Sequence, residues 1–285
     1  MHTGSAPVRF GYADTTHGQL HYRRGRTPRI DVVLLHWAPA SSRMFERVIP
    51  EFDALGIGAI AFDVPGFGAS LKPPQAWSPL EMARNLLEGL ESLQATPAVV
   101  LGGHLSANVA VEAALLAPHH VPAIVLDGVY ASTPEENAVL LAPYANLSPR
   151  WSADGSHRSF PWAISEICLS EWNPRFRPGP DTLAETYAVL ADYLQMGYAA
   201  IAAWMEPQGS PPPPYDVLAR IAKLEAPILV LGAQEEALRP CFDRALLAAT
   251  RARGHEFPGN HPLFAPGRAG EYAGIVSAFV RENLR

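Results

Sequence analysis

Cysteine is scarce: the 285 residues contain two, Cys168 and Cys241. Two thiols build no disulfide framework and are most simply free in a reducing compartment. No uninterrupted apolar run is long enough to span a membrane. The first ten residues, Met1 to Phe10, hold no apolar signal core. Together these absences predict a cytoplasmic location. Charge is modest, at 18% of residues, and the 22 basic against 28 acidic side chains leave a formal net charge of −6. That balance argues against nucleic acid or anionic membranes as partners. No metal-ligand cluster is visible, because His119 and His120 fall just beyond a predicted helix end and read as solvent-facing caps. No dinucleotide or phosphate loop is visible either. Chemistry without metal or cofactor is expected, with a small molecule as partner. Oligomeric state stays open, and a homodimer is compatible with it.

What is present is an ordinary globular composition, 48% apolar. The length suits one large domain, or a core with a cap. One stretch organises the rest, from Ala98 to Pro118. Ala98 to Leu101 is a short apolar run rich in β-branched residues and reads as a fully buried strand. Gly102-Gly103 reads as a break. Small and apolar residues from Ser106 to Leu116 continue at helical spacing, and Pro118 stops the helix. A strand, a tight turn and a helix form the context in which a strained turn lifts one side chain above a sheet.

This stretch resembles the α/β-hydrolase nucleophile elbow, Gly-x-Nuc-x-Gly. Gly102 falls on the first glycine and His104 on the nucleophile, whether the alignment starts from the strand or from the helix. A histidine therefore stands where the family usually has Ser, Asp or Cys, and Ser106 takes the second small position. The resemblance implies an α/β fold with a mostly parallel, doubly wound sheet and a helical cap insertion.

Other segments carry the same resemblance in order. Arg9–Asp14 and Gln19–Arg23 read as strands. Asp31–His36 is a buried strand, and Trp37-Ala-Pro-Ala-Ser-Ser-Arg-Met-Phe45 behind it resembles the His-Gly-x-Pro loop. The resemblance makes Ala38 one backbone donor of an oxyanion hole and Leu105, after the elbow residue, the other. Trp37 replaces the family glycine and reads either as a packed core aromatic or as a bulky group narrowing the pocket. Phe45–Leu55 reads as a helix and Ala59–Asp63 as a strand. Asp63-Val-Pro-Gly-Phe-Gly-Ala-Ser70 matches Asp-x-Pro-Gly-x-Gly-x-Ser, with Asp63 assigned to loop architecture. Ser78-Pro-Leu-Glu81 is a capping box that opens a helix. Ala123–Asp127 is a strand, and Asp127 reads as a strand-end residue, although some family members place a histidine-orienting acid there.

From Ala131 to about Pro214 the helix–strand alternation stops. Prolines, the aromatics Trp151, Phe160, Trp162, Trp172 and Phe176, and a helical pattern from Asp181 to Trp204 replace it. The division expected is a core of residues 1–131 and 215–285 with a cap of residues 132–214. Its aromatic content suits an apolar lid, or simply the cap's own core. Beyond it, Tyr215–Leu224 reads as a helix, Ala226–Gly232 as a strand, and Gly270–Leu284 as the closing helix.

The resemblance also implies a catalytic acid in the loop Ala233–Pro240 and a base in Glu256-Phe-Pro-Gly-Asn-His-Pro-Leu-Phe264. The base is His261. The acid is Glu235 when counted from Gly232 and Glu236 when counted from Pro240. With His104 at the apex, two routes are open. In the preferred one, His261 is a general base and His104 holds or protonates the opposite oxygen, which suits hydrolysis or lyase- or cyclase-type chemistry. In the other, His104 attacks an acyl group. Ser106 is expected to cap the helix and Cys168 to pack in the cap, so neither is the expected nucleophile. The substrate class is a small, largely apolar metabolite with a carbonyl or ester. A non-catalytic ligand-binding protein on the same scaffold is the alternative.

Overall fold

A computed structural model describes residues 8–142, 165–170, 173, 175–177, 179–197, 200, 215–265 and 267–284. The Trp151, Phe160, Trp162, Trp172 and Trp204 positions and the proline run at 211–214 lie outside them.

The strands are β1 (Arg9–Thr15), β2 (Gly18–Arg24), β3 (Val32–Leu35), β4 (Ala59–Phe62), β5 (Val99–Gly103), β6 (Ile124–Asp127), β7 (Ile228–Ala233) and β8 (Ala252–Phe257). They form one eight-stranded sheet in the order β1-β2-β4-β3-β5-β6-β7-β8. β2 pairs antiparallel with both β1 and β4, and the remaining pairs are parallel. The helices are α1 (Ile49–Ala54), α2 (Pro79–Ser92), α3 (Leu105–Leu116), α4 (Pro134–Leu141), α5 (Leu183–Leu194), α6 (Val217–Ile221), α7 (Arg239–Ala248) and α8 (Ala269–Asn283). This is the α/β-hydrolase fold: a mostly parallel sheet flanked by helices.

The strand pattern decides which helices cover which face. Successive strand residues point to opposite sides. Val33, Leu35, Ile60, Phe62, Val100, Ile124 and Val230 join one apolar cluster, with α2, α3, α6 and α7. Val32, Leu34, Ala61, Leu101, Val125 and Leu231 join the other, with α1 and α8. Both faces are therefore covered, which is why β3 to β7 read as unbroken apolar runs. Each large side chain buried this way stabilises the fold by about 1.5–3 kcal/mol.

Local signals act where the sequence places them. Ser78 accepts from the Glu81 N–H while the Glu81 side chain accepts from the Ser78 N–H, the reciprocal cap that starts α2. Two expectations change, and one strand is added. The helix expected over Phe45–Leu55 is a 3₁₀ turn, Ser42–Phe45, followed by α1, which begins beside Pro50. Proline lacks the N–H needed to continue an incoming helix, so a new one starts there. β5 runs through Gly102 and Gly103 rather than breaking at them. The strand β8 has no apolar run to announce it; Ala252-Arg-Gly-His-Glu-Phe257 is an edge strand, half-buried or exposed until its last residue. Among the described residues, no helix is long and apolar enough to cross a membrane.

Candidate active site

His104 sits at the sharp turn between β5 and α3 with φ 50° and ψ −121°. A positive φ is uncommon outside glycine, and histidine is among the side chains enriched there. The turn is pinned by the His104 N–H, which donates to the Asp127 carbonyl at 3.0 Å. Gly102 and Gly103 are required by close approach. A Cβ at Gly102 would collide with the Ser106 carbonyl, and one at Gly103 would collide with the Trp37 indole.

Trp37 is fully buried and lies against the elbow. Its ring stacks on the His104 imidazole, with centroids 3.7 Å apart and planes 17° apart. The same indole meets the His261 ring edge-on at 5.2 Å. Trp37 is thus both a packed aromatic and a narrowing group: it stands against both imidazoles.

Each imidazole faces its own carboxylate. His261 Nε2 lies 2.9 Å from Asp127 Oδ1. The Tyr272 hydroxyl donates to Asp127 Oδ2 at 2.7 Å. The His261 Nδ1 accepts from the Leu263 N–H at 3.3 Å. An amide can only donate, so the ring proton is on Nε2 and the Nδ1 lone pair is occupied. All three side chains are essentially inaccessible to solvent. Burial would lower the His261 pKa, but the Asp127 charge and hydrogen bond outweigh it and raise the value. Burial, with Asp127 beside it, pushes the Tyr272 hydroxyl well up.

The acid assignment therefore changes. His261 takes Asp127 as its partner, not Glu235 or Glu236. Glu235 is at the surface, where its two oxygens accept from Arg175 Nε and Nη2 at 2.8 and 2.5 Å. Glu236 is buried and turns to the elbow instead: its Oε1 lies 3.5 Å from His104 Nε2. Its Oε2 accepts from the Ala233 N–H at 3.1 Å. Among the described residues, His104 Nε2 and Glu236 Oε1 have no hydrogen-bond partner. Gly128, with φ +70°, leaves room for the pair; a Cβ there would fall 2.6 Å from Glu236 Oε1 and 2.8 Å from His104 Cδ2.

Ser106 does not cap α3 as expected. Its hydroxyl donates to the His36 carbonyl at 2.6 Å, tying α3 to the end of β3. The cap position belongs to His104. The His36 ring is likewise committed, with Nδ1 bonded to the Trp37 carbonyl at 3.2 Å and Nε2 accepting from the Val64 N–H at 3.1 Å. Burial lowers its pKa and favours the neutral ring. Ala38 and Leu105 flank the elbow and line a cavity of about 240 Å³ on the side of α2. Asp63 accepts from the Ser42 and Ala69 N–H groups and from His21 Nδ1, at 2.7, 2.8 and 2.9 Å. Burial opposes its charge, yet these bonds hold its carboxyl far below the usual range. Cys168 and Cys241 are both free and buried.

Two site residues escaped a proper reading from sequence. Asp127 was read as a strand-end residue, with the histidine-orienting acid of some family members as the less favoured alternative. Tyr272 lies inside α8, where nothing local separates it from a core aromatic. Chemically, the site holds one saturated imidazole and one whose outer nitrogen faces a carboxylate without a hydrogen bond. Among the described residues, no group of three or more metal-ligating side chains comes together.

Comparison with known proteins agrees with this fold. The model of the alpha/beta hydrolase family matches residues 32–274. A hydrolase from Pseudomonas aeruginosa is similar in structure, with TM-score 0.71, 20% identity, and 95% of this chain and 98% of that one covered. A thermophilic esterase from Thermogutta terrifontis gives TM-score 0.71 and 19% identity, over 97% and 99%. A serine hydrolase involved in carbazole degradation gives TM-score 0.72 and 18% identity, over 98% and 100%. No curated protein matches the sequence.

Proposed function

From the premise that this chain belongs to the alpha/beta hydrolase family, we propose that it is a cofactor-independent enzyme in which an imidazole at the elbow does proton chemistry. Its substrate is a small, largely apolar molecule bearing a carbonyl or ester. The observation that carries this reading is the buried pair His104 Nε2 and Glu236 Oε1, 3.5 Å apart and each without a hydrogen bond among the described residues. A buried polar atom left unpaired costs about 1–3 kcal/mol, so such a pair is poorly explained as a stability device.

The roles follow from the geometry. Glu236 fixes the ring tautomer with the proton on Nε2, and His104 Nδ1 is then the proton acceptor. Catalytic hydrogen bonds are often long before substrate binds and tighten in the complex. Trp37 holds the ring plane by stacking. His261 becomes a positioning residue, because its lone pair is engaged by Leu263. The lone pair on His104 serves either to activate water for hydrolysis or to remove a substrate proton in a lyase- or cyclase-type reaction. Following ¹⁸O from labelled water into product separates these two. In this reading residues 132–214 form a cap over the site: Asp192 of α5 accepts from the Ser41 N–H and hydroxyl, at 3.1 and 2.9 Å, on the loop that carries Trp37.

A ligand-holding protein without turnover is the second reading. It is favoured by the Trp37 ring standing against both imidazoles. The test is kinetic, with chromogenic esters and small carbonyl compounds as substrates. Glu236→Gln is expected to lower kcat by about 10²-fold, the lower range for a lost acid–base partner, without moving Tm by more than a few degrees. Unchanged turnover in both Glu236→Gln and His104→Ala would overturn the proton reading. Tight binding with no turnover by the wild-type chain would favour the holder.

A further inference from the structure

Glu235 and Asn260 belong to neither imidazole–carboxylate pair, yet each directly precedes a member of one. Glu236 faces His104, and His261 faces Asp127. Both preceding residues are held by the same short turn. The Asn173 carbonyl accepts from the Phe176 N–H at 2.7 Å, and the Asn173 side-chain oxygen accepts from the Arg175 N–H at 3.0 Å. Asparagine closes turns in this way. Phe176 is buried in the main apolar cluster, which seats the turn.

From this turn two side chains reach the two loops. The Asn173 side-chain oxygen also accepts from Asn260 Nδ2 at 2.5 Å. Since the same atom takes the Arg175 N–H it is an oxygen, and the Asn260 atom facing it is a nitrogen. Arg175 grips Glu235 with two prongs, Nε on Oε2 and Nη2 on Oε1. Two parallel bonds fix direction as well as distance. The loops are also tied to each other. The Glu235 N–H donates to the Gly259 carbonyl at 3.1 Å, and the Gly259 N–H donates to Gln234 Oε1 at 3.3 Å. A Cβ on Gly259 would lie 3.6 Å from Arg175 Nη2 and 3.8 Å from Glu235 Oε1, so the turn and both loops meet at one point. The side chains of Arg175 and Glu235 are 68% and 37% exposed. An exposed ion pair adds little to stability. What this one supplies is a fixed direction beside Glu236, whose own hydrogen bond, to the Ala233 N–H, engages only Oε2. Asn260 has a second hold, because its carbonyl accepts from Arg268 Nη1 at 2.7 Å.

We propose that Arg175 and Asn173 are positioning residues: through Glu235 and Asn260 they set Glu236 against His104 and His261 against Asp127. The inference rests on the proton reading of His104 and Glu236. Neither residue touches the reacting atoms. In that reading both belong to the cap, so seating the cap and aligning the acid are one event.

The experiment uses the full chain and has two readouts. The first is the ring-nitrogen NMR spectrum of histidine-labelled protein, in which His104→Ala and His261→Ala identify the two imidazoles. Arg175→Gln is expected to move the His104 signals in the direction that Glu236→Gln moves them. Asn173→Ala is expected to move the signals of both rings. The second readout is turnover of the chromogenic esters and carbonyl compounds. Arg175→Gln is expected to lower kcat about fivefold, the most that an exposed pair contributes, with KM unchanged and Tm within about 4 °C of wild type. Arg175→Glu combined with Glu235→Arg is expected to recover both the ring signals and kcat, which Arg175→Glu alone loses. Wild-type ring signals in Arg175→Gln and Asn173→Ala, or a loss that the charge exchange does not recover, would overturn the proposal. So would a fall in kcat that tracks a fall in Tm, since that marks a stability effect. Unchanged kcat in Glu236→Gln sinks the proton reading instead; the ring signals, which need no turnover, then decide the positioning role.

Discussion

The two imidazole–carboxylate pairs of this protein use the same chemistry to opposite ends. In His261–Asp127 every donor and acceptor is met: Asp127 serves His261 and Tyr272, and His261 Nδ1 takes the Leu263 N–H. In His104–Glu236 the facing atoms stay unpaired at 3.5 Å. A saturated buried network fixes a unique arrangement. In the unsaturated one, two buried polar atoms face each other without that bond. The difference teaches that a histidine in the family's base position can have its lone pair taken up by a backbone N–H.

The sharpest way to break the comparison is to remove one acid from each pair. Asp127→Ala leaves the His261 Nε2–H and the Tyr272 hydroxyl buried without an acceptor. It should cost about 3–5 kcal/mol in denaturant unfolding, as other broken buried pairs do. Glu236→Gln should cost less than about 1 kcal/mol. If the two losses are equal, both pairs are structural and the contrast fails.

A smaller effect probes the loop that holds Trp37 against both rings. Burial pushes the Asp192 carboxyl up to about 6, although Arg43 and the Ser41 hydrogen bonds oppose the shift. Between about pH 4 and 6 the native state therefore binds this proton more readily than the unfolded chain. The contribution of Asp192 to stability falls as pH rises through that interval. Asp192→Asn removes the titration, so the Tm difference between variant and wild type should move in the variant's favour from pH 4 to 7. The change is on the order of 2 kcal/mol. A pH-independent difference would show that Asp192 is not buried against Ser41.

The smallest expected effect is the most pointed. His104→Ser restores the family's elbow residue, yet ester hydrolysis should stay at the background of the wild-type chain. The serine would face Trp37, and His261, the imidazole in the base position, has its lone pair on Leu263. Activity that appears with the single change would show that His261 turns freely. Activity that appears only when Trp37→Gly is added would identify the indole as the barrier.

The fold was legible because its signals are local. β3, β4, β5 and β6 are apolar runs, the Ser78 and Glu81 cap is a four-residue pattern, and His104 stands between a strand and a helix whose periods differ. β8 was not legible, because an edge strand with one protected residue at its end carries no period. At the site, the identities of His104 and His261 were readable from flanking glycines and prolines. Which carboxylate faces which histidine was not. Asp127 and Glu236 lie far from the histidines they face, and Glu235 and Glu236 are adjacent in sequence yet point to the surface and the interior.

The sequence alone determined that a histidine occupies the turn between β5 and α3, since that is a matter of which residue stands at one position. Only the folded chain decided which carboxylate serves which imidazole, where the indole of Trp37 stands, and which lone pairs are already used. Hydrogen-bond partners are chosen in three dimensions by strand order, and the order that sets β6 between β5 and β7 brings Asp127 and Glu236 to the same end of the sheet.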